Sequence, residues 1–147
     1  MKKLLFLMLI LIFGCNHSTK EIKINPELKY ADNLKKKCIY EGNKTAYGEL
    51  IDYYGNYPSE YYELLPISII MADKYNNDQA RVAIYFEFIE MENNGSRDEK
   101  LFFKLEQSKK NLIIKYLMDG AKNNSPGCKE ILKRIQKGGV KIENHSN

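Results

Sequence analysis

The stretch IIKYLMDGAKNNSPGCKEIL, Ile113 to Leu132, decides the fold. Its first half sets Ile113, Tyr116, Leu117 and Gly120 at helical spacing. Asn123 to Gly127 is a turn cluster with Pro126 placed to open a new helix. A second helix follows with Cys128 and Leu132 one turn apart. The stretch is a helical pair: helix, tight turn, helix.

The same arrangement occurs earlier in the chain. Gly42, Ala46 and Leu50 step by four, as do Asn76, Ala80 and Ile84, and then Asn124, Cys128 and Leu132. The first interval is 34 residues and the second 48, the excess falling around Asn93 to Lys104. Each triplet is a turn residue, a small residue and an aliphatic one. The small side chain lets two antiparallel helices approach, and the aliphatic one fills the seam a turn later. One pair cannot bury its face alone, so the units must stack.

Between these turns the pattern is helical, with no sustained alternation of the kind a strand needs. The spacing predicts helices over 27–39, 44–54, 58–75, 78–92, 99–122, broken near Ser108, and 127–137. Pro66 should kink or restart its helix. The 147 residues suffice for one domain, and 44% hydrophobic with 29% charged residues is ordinary globular composition, which excludes a disordered or collagen-like chain.

Ile113, Tyr116, Leu117, Gly120, Ala121, Asn124, Cys128 and Leu132 resemble one Sel1-type unit of the tetratricopeptide-like helical repeats. Ala72, Asn76, Ala80 and Ile84 resemble a degenerate second unit, and Gly42, Ala46 and Leu50 half of a third. Asn stands twice for the usual turn Gly, Cys128 for Ala and Gly120 for Ala. The resemblance covers about residues 40–137. It implies an all-α, short right-handed superhelix of antiparallel helix pairs, about six helices in all.

The amino terminus predicts compartment. Met1-Lys2-Lys3 is a positive n-region, and Leu4 to Phe13 is an apolar run too short to span a bilayer. Ile12-Phe13-Gly14-Cys15 resembles a bacterial lipobox, with Cys15 the lipidated residue. The expected layout is a signal peptide over 1–14, a lipidated tether over 15–26, a helical-repeat domain over 27–139 and a flexible tail over 140–147. Asn16 after the lipid cysteine points to the outer membrane, facing the periplasm. Net charge is +4, and loss of Lys2 and Lys3 with the leader leaves +2, too little to argue for nucleic acid.

Catalytic motifs are missing from the sequence. The two histidines, His17 and His145, fall in the terminal segments, so neither suits a packed catalytic or metal site. No HExxH, CxxC, phosphate-binding Gly loop, GxSxG or Ser-x-x-Lys occurs. The expectation is a non-enzyme without metal or cofactor. An oxidising periplasm permits a bond between Cys38 and Cys128. An extended solenoid would hold them too far apart, whereas a curled one would not.

Charge is split along the chain. Glu41 to Glu99 holds 12 acidic and 4 basic residues, net −8, and Lys100 to Lys141 is net +8. Stacked repeats turn that order into a spatial polarity, serving either attraction between neighbouring repeats or an acidic end offered to a basic partner. Seven of the eleven tyrosines lie between Tyr40 and Tyr62. Tyr47, Leu50, Ile51 and Tyr54 form one helical stripe and belong to the core. Asp52, Tyr53, Tyr57, Glu60, Tyr61 and Glu63 are the candidate partner-binding residues, tyrosine giving contact area at low entropic cost. The resemblance implies a surface-tethered protein-binding module. Among small Sel1-like lipoproteins an immunity role, blocking a toxic effector, recurs. A structural envelope scaffold is the alternative, and a cell-wall or β-lactam hydrolase a third.

Overall fold

The computed structural model describes residues 26–57, 62–93 and 95–139. The described part is all-helical. Six α-helices follow in order: α1 Pro26–Lys36, α2 Lys44–Asn56, α3 Leu64–Asp73, α4 Asp78–Glu92, α5 Gln107–Lys122 and α6 Pro126–Lys137. A wide π-type turn over Lys37–Glu41 extends α1, and a 3-10 turn over Glu99–Lys104 precedes α5. The signal and lipidation expectations, the tether up to residue 25 and the tail over 140–147 lie outside the described residues, while Pro26, expected in the tether, opens α1.

Three tight turns make the pairs α1–α2, α3–α4 and α5–α6, and all three are built alike. Gly42, Asn76 and Asn124 each take a left-handed backbone, at φ 65°, 51° and 66°. Glycine and asparagine are the residues that tolerate this conformation. The next residue caps the following helix with a side-chain oxygen. Asn43 accepts from the Ala46 N–H at 2.9 Å, Asn77 from that of Ala80 at 3.3 Å and Ser125 from that of Cys128 at 3.5 Å. Its own N–H bonds back into the helix just ended, to Lys37 O, Met71 O and Gly120 O respectively.

The small residues at the seam, Ala46, Ala80 and Cys128, are all buried. Leu50 and Ile84 fill the seam as expected, but in the third unit Ile131 is buried and Leu132 only partly so. The first turn also meets the second: Tyr75 lies across Gly42, where a methyl group would sit 2.2 Å from its ring, and its hydroxyl donates to Ile39 O at 2.8 Å. The second meets the third through Asn123 Nδ2, which donates to Asn76 Oδ1 at 2.9 Å. The turns are thus laced into one row, and the helices pack chiefly on their chain neighbours, α1 on α2, α3 on α4, α4 on α5 and α5 on α6. A solenoid of pairs has this order.

Helix boundaries depart from expectation in two places. The break in 99–122 falls at Leu105 and Glu106, both extended, because Leu105 turns inward to the core. Part of the excess over the repeat length folds into the 3-10 turn, which buries Phe102 against Tyr85 and pairs Glu99 with Arg134 of α6 at 2.8 Å. Pro66 restarts rather than kinks a helix. It sits in the first turn of α3, where its missing N–H has no intrahelical partner to lose.

Two carboxyls of α4, Glu87 and Glu90, are buried. Glu87 of α4 is completely buried and joined to Ser68 Oγ of α3 at 2.5 Å, which in turn meets the Tyr47 hydroxyl of α2 at 2.7 Å. Its second oxygen, Oε2, has no partner. Burial, reinforced by the neighbouring Glu90, pushes its pKa up to about 8 against the Ser68 hydrogen bond.

Cys38 and Cys128 are not bonded. Both are free, buried thiols, Cys38 where α1 runs into its terminal turn and Cys128 at the α5–α6 seam, so the stack separates them into its first and last pairs. Burial pushes both thiols up, Cys38 to about 11. Cys128 faces Gly120, where a methyl group would lie 2.3 Å from its Sγ. The larger seam residue and the missing side chain compensate each other.

Two outcomes follow. Gly120→Ala, normally favourable within a helix, should lower stability by about 1–3 kcal/mol through overpacking. Adding Cys128→Ala should restore it, both read from urea unfolding midpoints. Glu87 binds its proton more tightly when folded, so its contribution is full below the unfolded value of 4.5 and is lost as pH rises towards about 8. Wild-type stability should carry a falling component across that window, up to about 1.4 kcal/mol per pH unit. Glu87→Gln should remove it, as measured by chemical denaturation at a series of pH values.

Candidate functional site: an acidic, tyrosine-lined groove

The opening turns of α1 run beside the closing turns of α2, and an open groove of about 650 Å³ lies between them. Pro26, Glu27 and Tyr30 line one wall, and Glu49, Asp52, Tyr53, Asn56 and Tyr57 the other. Helical spacing builds both walls. Glu27 and Tyr30 are three apart, while Glu49, Tyr53 and Tyr57 step by four with Asp52 and Asn56 alongside.

Two hydroxyl–carboxylate bonds cross the groove. Tyr30 donates to Glu49 Oε2 at 2.7 Å and Tyr57 to Glu27 Oε2 at 2.9 Å. The hydrogen bond to Glu49, and the charge behind it, hold the Tyr30 phenol above its ordinary value. Tyr53 stacks on Tyr57 with centroids 4.8 Å apart and planes inclined at 35°. It also packs edge-on against the buried Tyr54 at 5.3 Å, which fixes the platform to the core. The Asp52 backbone carbonyl accepts from Asn56 Nδ2 at 2.9 Å, while no side chain among the described residues pairs with its exposed carboxylate. None of the described lining residues is basic.

Of the expected binding residues, Asp52, Tyr53 and Tyr57 come together here. Glu60 and Tyr61 lie outside the described residues. Glu63 does not line the groove. Lys35 meets its Oε2 at 2.5 Å and the Tyr54 hydroxyl donates to the same oxygen at 2.8 Å, and both bonds hold its carboxyl below the ordinary range. The reading from sequence missed Glu27, Tyr30 and Glu49. Their signal was the three-residue step on α1 and the four-residue step on α2, once those helices are paired.

A second, polar cleft of about 320 Å³ lies among Asp73, Arg81, Tyr116, Asp119 and Lys122. Most of its polar groups already have partners in the chain. Arg81 pairs with Asp78, Tyr116 donates to Asp73 and Lys122 stands 4.0 Å from Asp119. Salt links likewise join the oppositely charged halves of the chain, Lys109 to Glu92 and Arg134 to Glu99, so part of the charge polarity serves attraction between neighbouring helices. Among the described residues no three metal-binding side chains gather, and no helix is long and apolar enough to cross a membrane. No family model, curated protein or solved structure matches the chain.

Glu63 should therefore behave as a structural residue. Its depressed pKa contributes stability above 4.5 that is lost as pH falls through the folded value. Glu63→Gln should cost under about 1 kcal/mol at pH 7, since the pair is partly solvated. The deficit should shrink on acidification, as read from thermal melts at pH 7 and pH 3.

Proposed function

We propose that this chain is a membrane-anchored periplasmic binding module of the Sel1-like helical-repeat kind, lipidated at Cys15, that serves as an immunity protein by blocking a basic toxic effector. The groove carries this reading: among the described residues, three carboxylates and three tyrosines line one concavity and no basic residue lines it. Such a surface attracts a positively charged protein face, and aromatic side chains supply the contact area. The two hydroxyl–carboxylate bonds across the groove support the reading, since they hold α1 against α2 as a preformed surface that loses little entropy on docking. The net −8 of Glu41 to Glu99 extends the same field beyond the groove and would steer encounter.

The test is survival in contact with sibling cells. A strain lacking the chain should be killed by its intact kin, and the wild-type chain should restore survival. The variant Asp52→Lys with Tyr57→Ala, expressed at equal level and equally helical by circular dichroism, should fail to restore it. Equal survival without the chain removes the immunity role. Rescue by the variant removes the groove.

A further inference from the structure

We infer that the polar cleft among α3, α4 and α5 binds the zwitterionic head of an α-amino acid, its ammonium at Asp73 and Asp119 and its carboxylate at the Nε edge of Arg81 and at Lys122. The site is separate from the groove and does not depend on the groove's role.

The lining sets the kind of ligand. The cleft holds about 320 Å³, and Ala72 is the only apolar residue among the described ones that line it. A compact polar head fits such a space, whereas an apolar side chain would find little wall to rest on. No three metal-binding side chains gather among the described residues, which sets a bare metal ion aside.

One half of the cleft calls for a cation. Asp73 and Lys122 are the last residues of α3 and α5, so the negative ends of both helices open here. Asp73 accepts from the Tyr116 hydroxyl at 3.0 Å and meets no cation among the described residues. Asp119 has only the exposed Lys122 at 4.0 Å. Burial first, and then the Asp73 bond and the charges of Asp73 and Asp119, push the Tyr116 phenol up to about 12, with the Arg81 charge opposing them. Both carboxylates and the guanidinium therefore act on one hydroxyl.

The other half calls for an oxygen acceptor. Arg81 lines the cleft yet is only 7% exposed. Its Nη1 donates to Asp78 Oδ1 at 2.6 Å, and its Nη2 to Asn76 Oδ1 at 2.5 Å and Ala72 O at 3.3 Å. Nε has no acceptor among the described residues. In the planar guanidinium Nε–H and one Nη2–H form a parallel fork. The acceptors of Nη2 belong to residues that line the cleft, so the fork is turned toward it. A buried N–H without an acceptor is costly, and an oxygen placed there relieves that deficit. Lys122 adds a second donor at the rim. A lone cation would face Arg81 and Lys122, and a lone anion Asp73 and Asp119. A zwitterion with its two charges side by side satisfies both halves at once.

The experiment uses the full chain in neutral detergent micelles, with 15N-labelled arginine and ring-labelled tyrosine followed by NMR. The chain has three arginines, and Arg97→Lys with Arg134→Lys assigns the Nε–H signal of Arg81. The probes are glycine, glycinamide, acetate and methylammonium at one ionic strength. Glycine should shift the Arg81 Nε–H and Tyr116 ring signals saturably, and roughly tenfold more tightly than each of the other three. Asp119→Asn should weaken glycine binding by about tenfold, the loss of one charge-assisted bond, with helicity unchanged. Acetate binding as tightly as glycine would make this an anion site, methylammonium a cation site and glycinamide a site for a peptide amino terminus, and each of these overturns the inference. So does a glycine response that Asp119→Asn leaves unchanged, or the absence of any response at both Arg81 and Tyr116.

Discussion

A left-handed residue followed by a side-chain cap is the constraint on which this molecule is built. At Gly42–Asn43, Asn76–Asn77 and Asn124–Ser125 the chain ends one helix and begins the next within two to four residues. The cap oxygen reaches the N–H of the small residue that must sit at the seam. Turn geometry and close helix approach are therefore specified together. A turn that let the second helix start one residue late would rotate Ala46, Ala80 or Cys128 by about 100° and bring a larger side chain to the seam.

The units differ in how they meet that constraint. The first uses glycine and covers it with Tyr75, and the second uses Asn76 and ties it to Arg81 and Asn123. The third widens the seam residue to cysteine and removes the facing side chain at Gly120. Each deviation from a strict repeat has a partner elsewhere. The buried Glu87–Ser68–Tyr47 chain departs furthest from helical-repeat logic: it spends burial on a carboxyl to join three helices with a hydrogen bond that apolar packing would not direct.

Much of the fold was legible in the sequence because its signals are local. The three turn triplets, the proline at the start of α6 and the Tyr47–Leu50–Tyr54 stripe each act within one or two turns of helix. The break before α5 was placed three residues late, since what ends the 3-10 turn is the burial of Leu105, a tertiary event with no local marker. The groove was half legible. Asp52, Tyr53 and Tyr57 stand out as a cluster on one helix, but Glu27 and Tyr30 join them only because α1 lies alongside α2. Glu63 is close to these residues in sequence, yet its carboxylate turns to Lys35, 28 residues earlier, and does not line the groove.

Stitching the three turns into a row gives the stack a bound edge and an open one, like the leaves of a book. Chain length cannot vary at the binding, where one added residue would break a cap and a lacing bond together. It can vary at the fore-edge, where α2 hands over to α3 and where the fourteen extra residues before α5 are absorbed without disturbing the count of pairs. The groove lies toward that fore-edge, at the end of α2 farthest from Gly42. What such a chain grips can therefore be rewritten by lengthening or retailoring one margin, while the opposite margin keeps the architecture constant.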